Sequence, residues 1–580
     1  MTALPMQTDP PSSRSSRRGA PAPLRALRWL GVAALTVFGL AALVGSGGGG
    51  GGDPEPVPTP PPTGGPATIS GTADFASVPN DTTVDGGLVY GSTTFKPIRG
   101  ATVEVLPAGG GAALATGTTS DTGNYSLALT ATQPVIVRVR AELLRQGQAS
   151  GGNWNFTVRD NTQGNAVYVL DSAAFTPAAG ANTRDLRALS GWGGSSYTTT
   201  RAAGPFAILD VVREATQKVL TATPNANFPA LQLMWSVNNQ PARNDNDLTD
   251  GLIGTSFYQF DGTQHRIYIL GAANTDTDEF DRTVVAHEFG HYFQSVFSRD
   301  DSLGGSHGSQ DKLDMRVAFS EGWGNAWSGM ALNTSIYADS MGAGQQVGFL
   351  NRLTQSPAAG QRGWYSEASV QYLMFQWHGA AGIGFTPIFD VLAGMRSGLG
   401  PDGALSSIHY FAHKLKQAVP AQAGAIDTAL AGQSITVADA LGSTEVNNGG
   451  IADALPIYKA HTAGLGAAQN YCVTDAADPG GVEFNKLGAQ AVIRMTLPAS
   501  GARTIAVTSS QAGSDPGFRL VTPAGAESEH DDFGGTSEST TIGAVSAGTY
   551  LVVLYDWTLT HGPASGTTNG RKCFNVTVNQ

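Results

Sequence analysis

The sequence predicts a multidomain chain in which an α+β domain is flanked by two all-β sandwich domains. Three observations lead there. At 580 residues the chain exceeds what one hydrophobic core supports. Its 75 glycines, with only 14% charged residues, suit strands joined by many turns. Strand-like texture at both ends gives way, between about Gly204 and Lys459, to segments of helical periodicity. A net charge of -12 argues against the basic surface that nucleic acid selects, so no nucleic-acid partner is expected. The two cysteines, Cys472 and Cys573, exclude a thiolate metal site and a disulfide-dense scaffold. Any metal must be held by His, Asp or Glu.

Residues 1–46 read as a signal peptide or membrane anchor. Arg14, Arg17, Arg18, Arg25 and Arg28 precede an apolar run from Trp29 to Val44, the order of an export signal. Residues 47–65 form a Gly/Pro-rich linker. The chain is thus expected to be exported, to the cell envelope or beyond, and to touch a membrane only through this N-terminal segment. Residues 66–180 predict a β-sandwich, with strands at 67–73, 101–106 and 135–139. Between them, Asp121 and Gly123 tighten a turn before the strand that begins near Tyr125.

Residues 181–462 carry the mixed texture of the α+β domain. A helix is expected over 206–216, then strands at 230–235 and 266–270. Asn244, Asp245, Asn246 and Asp247 read as an acidic turn rather than a calcium loop, because their spacing is not that of an EF-hand. Asp276, Asp278 and Glu279 offer capping side chains for the helix that follows. Further helices are expected at 387–392, 408–418 and 435–441. His409 and His413 share a helical face but lack a glutamate between them, and packing is their expected role. Residues 463–580 return to strands, at 491–495, 504–507, 518–521 and 549–554. Cys472 and Cys573 either meet across this domain or remain two buried thiols.

The segment Val284-Val285-Ala286-His287-Glu288-Phe289-Gly290-His291 contains H-E-x-x-H. Two imidazoles four residues apart share one helical face and can grip one Zn²⁺, with Glu288 beside it as candidate general base for a zinc-bound water. The opposite face, Val285, Phe289, Tyr292, Phe293 and Val296, is a core stripe that points the histidines towards a cleft. Two histidines leave zinc a protein ligand short. His307 stands at the wrong spacing, in a Gly/Ser-rich loop, to complete a metzincin pattern. Thirty residues past His291, Phe319, Trp323, Ala326 and Met330 mark a second helix, with Glu321 on its other side.

The segments "HEFGHYFQ" and "SEGWGNAW" resemble the zincin pattern of gluzincin metallopeptidases, thermolysin-like and more closely fungalysin-like. The resemblance implies a zincin-like catalytic domain with His287, His291 and Glu321 as zinc ligands and Glu288 as catalytic base. An aspartate that accepts from a zinc-bound histidine in the family falls on Asn325, whose amide oxygen accepts but brings no charge. Tyr365, Tyr372 and His378 are the candidates for the oxyanion donor such a peptidase needs. The first β domain resembles a carboxypeptidase-regulatory-like sandwich, and the last a pre-peptidase C-terminal domain; Leu43-Val44-Gly45-Ser46 resembles a lipoprotein signal with Ser46 in place of the lipidated cysteine. The expected activity is that of an exported zinc metalloendopeptidase acting on a protein or peptide substrate. Two other readings stand beside it: a cell-surface binding protein with a degenerate peptidase domain, and a zinc hydrolase of a non-peptide substrate. The oligomeric state and the subsite preference are not legible.

Overall fold

The computed structural model describes residues 65–580, apart from 131–132, 245–246, 397, 401, 479–482, 533 and 562–569, together with a short strand at Thr8–Pro11. The arginine-flanked apolar run from Trp29 to Val44 and residues 47–64 of the linker therefore lie outside the described residues. Among those described, no helix is long and apolar enough to cross a membrane.

The chain is multidomain and rich in sheet. The predicted early strands appear as Pro66–Ser77, Ala101–Pro107 and Val135–Arg145. Side chains along Asn124–Thr130 alternate strictly between exposed and buried, as one solvated face and one core face require. Pro66–Ser77 organises a five-stranded sheet. A second sheet of nine strands packs its Val103, Val105, Val137 and Val139 into the same core.

That second sheet does not stop at residue 180. Trp154–Asp160 pairs in parallel with Leu231–Trp235, which pairs in parallel with His265–Ile269, and Phe257–Phe260 closes the edge. One hydrophobic core runs from Ala67 through the helices to Val553. Helix α1, Gly204–Ala222, lies against this sheet and then against α2, Arg282–Phe297, and α3, Met315–Leu332. Helices α4, Glu367–His378, α5, Phe385–Gly394, and α6, Ile408–Ala418, complete the layer behind α3.

The helix expected at 435–441 is absent. Helix α7, Ala423–Gly432, precedes it, and Ser434 then turns left-handed at φ 57°. Past that turn the Asp439 carboxylate accepts from the amides of Leu441 (2.9 Å) and Ser443 (3.1 Å), which draws those donors away from helical pairing. The four C-terminal strands expected all appear, joined by further strands such as Gln469–Thr474 and Arg571–Asn579 in sheets of five and four that enclose a core around Val473, Ile493, Phe518 and Phe574. Cys472 and Cys573 sit opposite one another on paired strands and are disulfide-bonded.

Candidate metal centre

Helices α2 and α3 cross at two glycines. A Cβ on Gly290 would lie 3.0 Å from the Trp327 ring and 3.1 Å from the Gly324 Cα; one on Gly324 would lie 2.8 Å from Cε1 of His287. The Trp323 indole donates to the Gly290 carbonyl at 3.0 Å and holds the crossing. The helices are therefore close enough for side chains on each to share one point. The face of α2 that carries the histidines meets α3 rather than an open cleft. His287, Glu288, His291 and Glu321 are between 2% and 8% exposed.

Nε2 of His287 lies 3.0 Å from Nε2 of His291, and the two stand 3.3 and 3.4 Å from Oε2 of Glu321. Their protonation follows from the other ring nitrogens. Nδ1 of His287 donates to the Asn325 carbonyl oxygen at 3.0 Å. The Ser320 hydroxyl donates to Gln294 at 2.9 Å, so it accepts from Nδ1 of His291 at 3.2 Å. Each neutral ring then turns an Nε2 lone pair inwards. Two lone pairs and a carboxylate converging in a buried space could hold a cation. Donors ~2.0–2.1 Å from a tetrahedral zinc lie ~3.3 Å apart, which matches this triangle. Asn325 and Ser320 fix the tautomers, so the departure at Asn325 keeps the hydrogen bond and gives up only its charge.

A third imidazole reaches the same point. Nε2 of His307 lies 3.4 Å from Oε2 of Glu321, and its Nδ1 lies 2.8 Å from Oε2 of Glu367, in the first turn of α4. The ring of Tyr337, on the strand Ile336–Met341, stands edge-on to His287 at 6.0 Å. Neither His307 nor Tyr337 carried a local signal. The loop that returns His307 has no periodicity, and Glu367 reads only as a helix start.

The other candidates go elsewhere. The Tyr365 hydroxyl donates to the Arg362 carbonyl (3.1 Å) and lies 3.2 Å from Oδ1 of Asn447, away from the triad. His378 bonds Nζ of Lys218 on α1 at 3.0 Å. Tyr372 is half-buried on α4 and makes no hydrogen bond to the triad. His409 is buried against Glu445 at 3.1 Å, a packing role, and His413 pairs with Gln417 on the helix exterior. Asp247 accepts from the amide (2.9 Å) and hydroxyl (2.6 Å) of Thr249 and closes a turn, while Asp245 and Asn246 lie outside the described residues. Capping of α2 by residues 276–279 does not occur. Asp281 holds the cap position, yet its carboxylate serves Ser340 at 3.0 Å (amide) and 2.7 Å (hydroxyl), and Asn80. A cavity of about 390 Å³, lined by Asp85, Tyr90, Trp192 and Gln346 among others, shares no residue with the triad.

No protein-family model matches the chain, and no curated protein matches it. Solved structures do. The pre-peptidase C-terminal domain of collagenase from Bacillus anthracis is 13% identical over 21% of this chain and 94% of that one, with a TM-score of 0.15. CorA, a surface-associated copper-binding protein of Methylomicrobium album BG8, is 11% identical over 21% and 96%, with a TM-score of 0.17. The periplasmic lysozyme inhibitor PliG of Aeromonas hydrophila is 14% identical over 21% and 96%, with a TM-score of 0.14. At these scores the likenesses carry no argument about function.

Proposed function

We propose that this chain is an exported zinc metallopeptidase of the gluzincin kind. One observation carries the reading: two imidazole nitrogens and one carboxylate oxygen meet 3.0–3.4 Å apart in a buried space, on a helix where Glu288, itself buried, follows His287 in sequence. His287, His291 and Glu321 would hold the metal. Zinc, when bound there, supplies Lewis acidity and a nucleophile usable at neutral pH. Glu288, one residue from His287, takes a proton from the attacking water and returns it to the leaving amine. His307, oriented by Glu367 through Nδ1, would in its doubly protonated form offer Nε2–H as the donor for the developing oxyanion that Tyr365 and His378 are turned away from giving. Support for export comes from the arginine-flanked apolar run ahead of residue 46 and from the Cys472–Cys573 bond, which suits an oxidising compartment.

The test uses the purified full chain. About one zinc per chain is expected by elemental mass spectrometry, with cleavage of casein or a peptide library that o-phenanthroline abolishes. Glu288→Gln should keep the zinc and lose turnover by roughly a thousandfold or more. A chain without stoichiometric zinc would sink the enzyme reading. Zinc without cleavage of any peptide would leave a binding protein or a hydrolase of another substrate.

A further inference from the structure

A second group of acids lies behind the first turn of α2. Asp276, Asp278 and Asp339 are 8%, 0% and 5% exposed, and each places a carboxylate oxygen within 4.8 Å of the other two. Other buried acids in this layer are compensated. Glu279 faces Arg201 at 2.7 Å, and Asp281 is bonded by Ser340 and Asn80. Asp278 accepts from the Ser256 hydroxyl through Oδ2, and its Oδ1 has no donor. Oδ1 of Asp339 has none either, and among the described residues neither Asp278 nor Asp339 faces a cationic side chain. A buried carboxylate left without a donor costs more than folding normally tolerates unless a ligand completes it. Burial first, and then the neighbouring carboxylates, push Asp278 and Asp339 well above the ordinary carboxylate range.

We propose that Asp276, Asp278 and Asp339 form a calcium site that fastens the strand Ile336–Met341 to the segment leading into α2. The donors are all oxygen, the preference of a hard cation, and oxygens ~2.4 Å from one calcium ion lie at most ~4.8 Å apart. Magnesium retains several waters of its own, for which carboxylates this buried leave little room. The site joins elements that both reach the metal centre. On the strand, Asp339 is two residues from Tyr337, whose ring abuts His287. On the other side, Thr283 in the first turn of α2 exchanges hydrogen bonds with Ala338 at 2.8 and 2.9 Å. Calcium would thus hold the Tyr337 strand against the helix that carries the histidines. The inference is independent of the zinc reading, because its ligands and its readout are separate.

The experiment is thermal melting and calorimetric titration of the full chain in calcium-free buffer prepared over chelating resin, with zinc restored to one equivalent. CaCl₂ should bind at about one ion per chain and raise the melting temperature by roughly 2–3 °C at a hundred times its Kd. Asp339→Asn should abolish that rise while zinc content is unchanged. Without calcium the variant should melt no lower than wild type, since one of three crowded charges is gone. Asp276→Asn serves as the second variant if the first fails to fold. No response of wild type to CaCl₂, as three protonated or otherwise satisfied acids would give, overturns the site. A full calcium response retained in both variants overturns it as well. An equal rise with MgCl₂ overturns the assignment to calcium.

Discussion

Gly324→Ala isolates the helix crossing from the chemistry it supports. The added methyl carbon would lie 2.8, 2.9 and 3.0 Å from Cε1, Nδ1 and Nε2 of His287. Ordinary contact begins near 3.4 Å, so the ring must retreat by about 0.6 Å. It cannot do so by rotation, because Nδ1 is tied to Asn325 and Nε2 points into a ligand triangle only 3.0–3.4 Å on a side. Displacing one of three ligands by that amount should weaken zinc binding by about 10–100-fold, the range seen when a ligand's support is removed. Alanine also favours a helix over glycine by about 1 kcal/mol, which offsets part of the roughly 1–3 kcal/mol of overpacking. Metal-free stability should therefore change little while zinc affinity falls. Competition against a chromophoric chelator, with melting of the stripped protein alongside, measures both. Gly424→Ala, on α7 with no atom near its Cβ, is the control for helix propensity alone. Wild-type zinc affinity in Gly324→Ala would refute the idea that the α3 backbone sets the position of the imidazole.

Three further outcomes are expected. His307→Asn should retain zinc and lower kcat by roughly 10²–10³; loss of the zinc instead would make His307 a ligand. Burial and then the Lys218 ammonium bring the His378 pKa from 6.5 down to about 4. The folded chain thus resists a proton that the unfolded chain accepts, so this stability is full above about pH 6.5 and is lost as pH falls towards 4. Melting of His378→Gln across that window should fall less steeply than wild type, and parallel curves would contradict the pairing. Cys472→Ser opens a link between residues 101 apart in sequence and should cost about 4–5 kcal/mol. Denaturant unfolding followed by a probe in the C-terminal sheets checks it, and a loss below 1 kcal/mol would show that the sheets hold without the bond.

How far the sequence could be read depended on the range of the interaction. Helix α2 was legible because the spacing of His287 and His291 and the apolar stripe of Val285, Phe289 and Val296 are local. Four strands of the C-terminal sheets, among them Gln490–Leu497 and Gly548–Asp556, were legible for the same reason. Glu321 stood out only because its flanking glycines and tryptophans form a motif, and the packing explains them: Gly324 makes room for the His287 ring and Trp323 bonds Gly290. His307 was passed over because its partners, Glu321 and Glu367, lie in other segments and no periodicity marks the loop between. Asp276 and Asp278 read as helix caps since a cap and a buried acid cluster look alike in one dimension. Their third member, Asp339, arrives from a strand more than sixty residues away. The partners of Trp154–Asp160 were equally hidden, because alternation shows that a strand exists and not what it pairs with.

The parallel pairing of Leu231–Trp235 with Trp154–Asp160 has a consequence for how the molecule could be matured. Cutting near residue 180 and removing the N-terminal portion would strip a neighbour from the middle of the nine-stranded sheet. A row of unpaired amides and carbonyls along Leu231–Met234 would face water, a template for pairing with another copy. The first β module is therefore not a propeptide that a protease can clip off to release a working remainder. It is built into the floor on which the helices carrying His287, His291 and Glu321 rest, and a shortened chain should be recovered as aggregate.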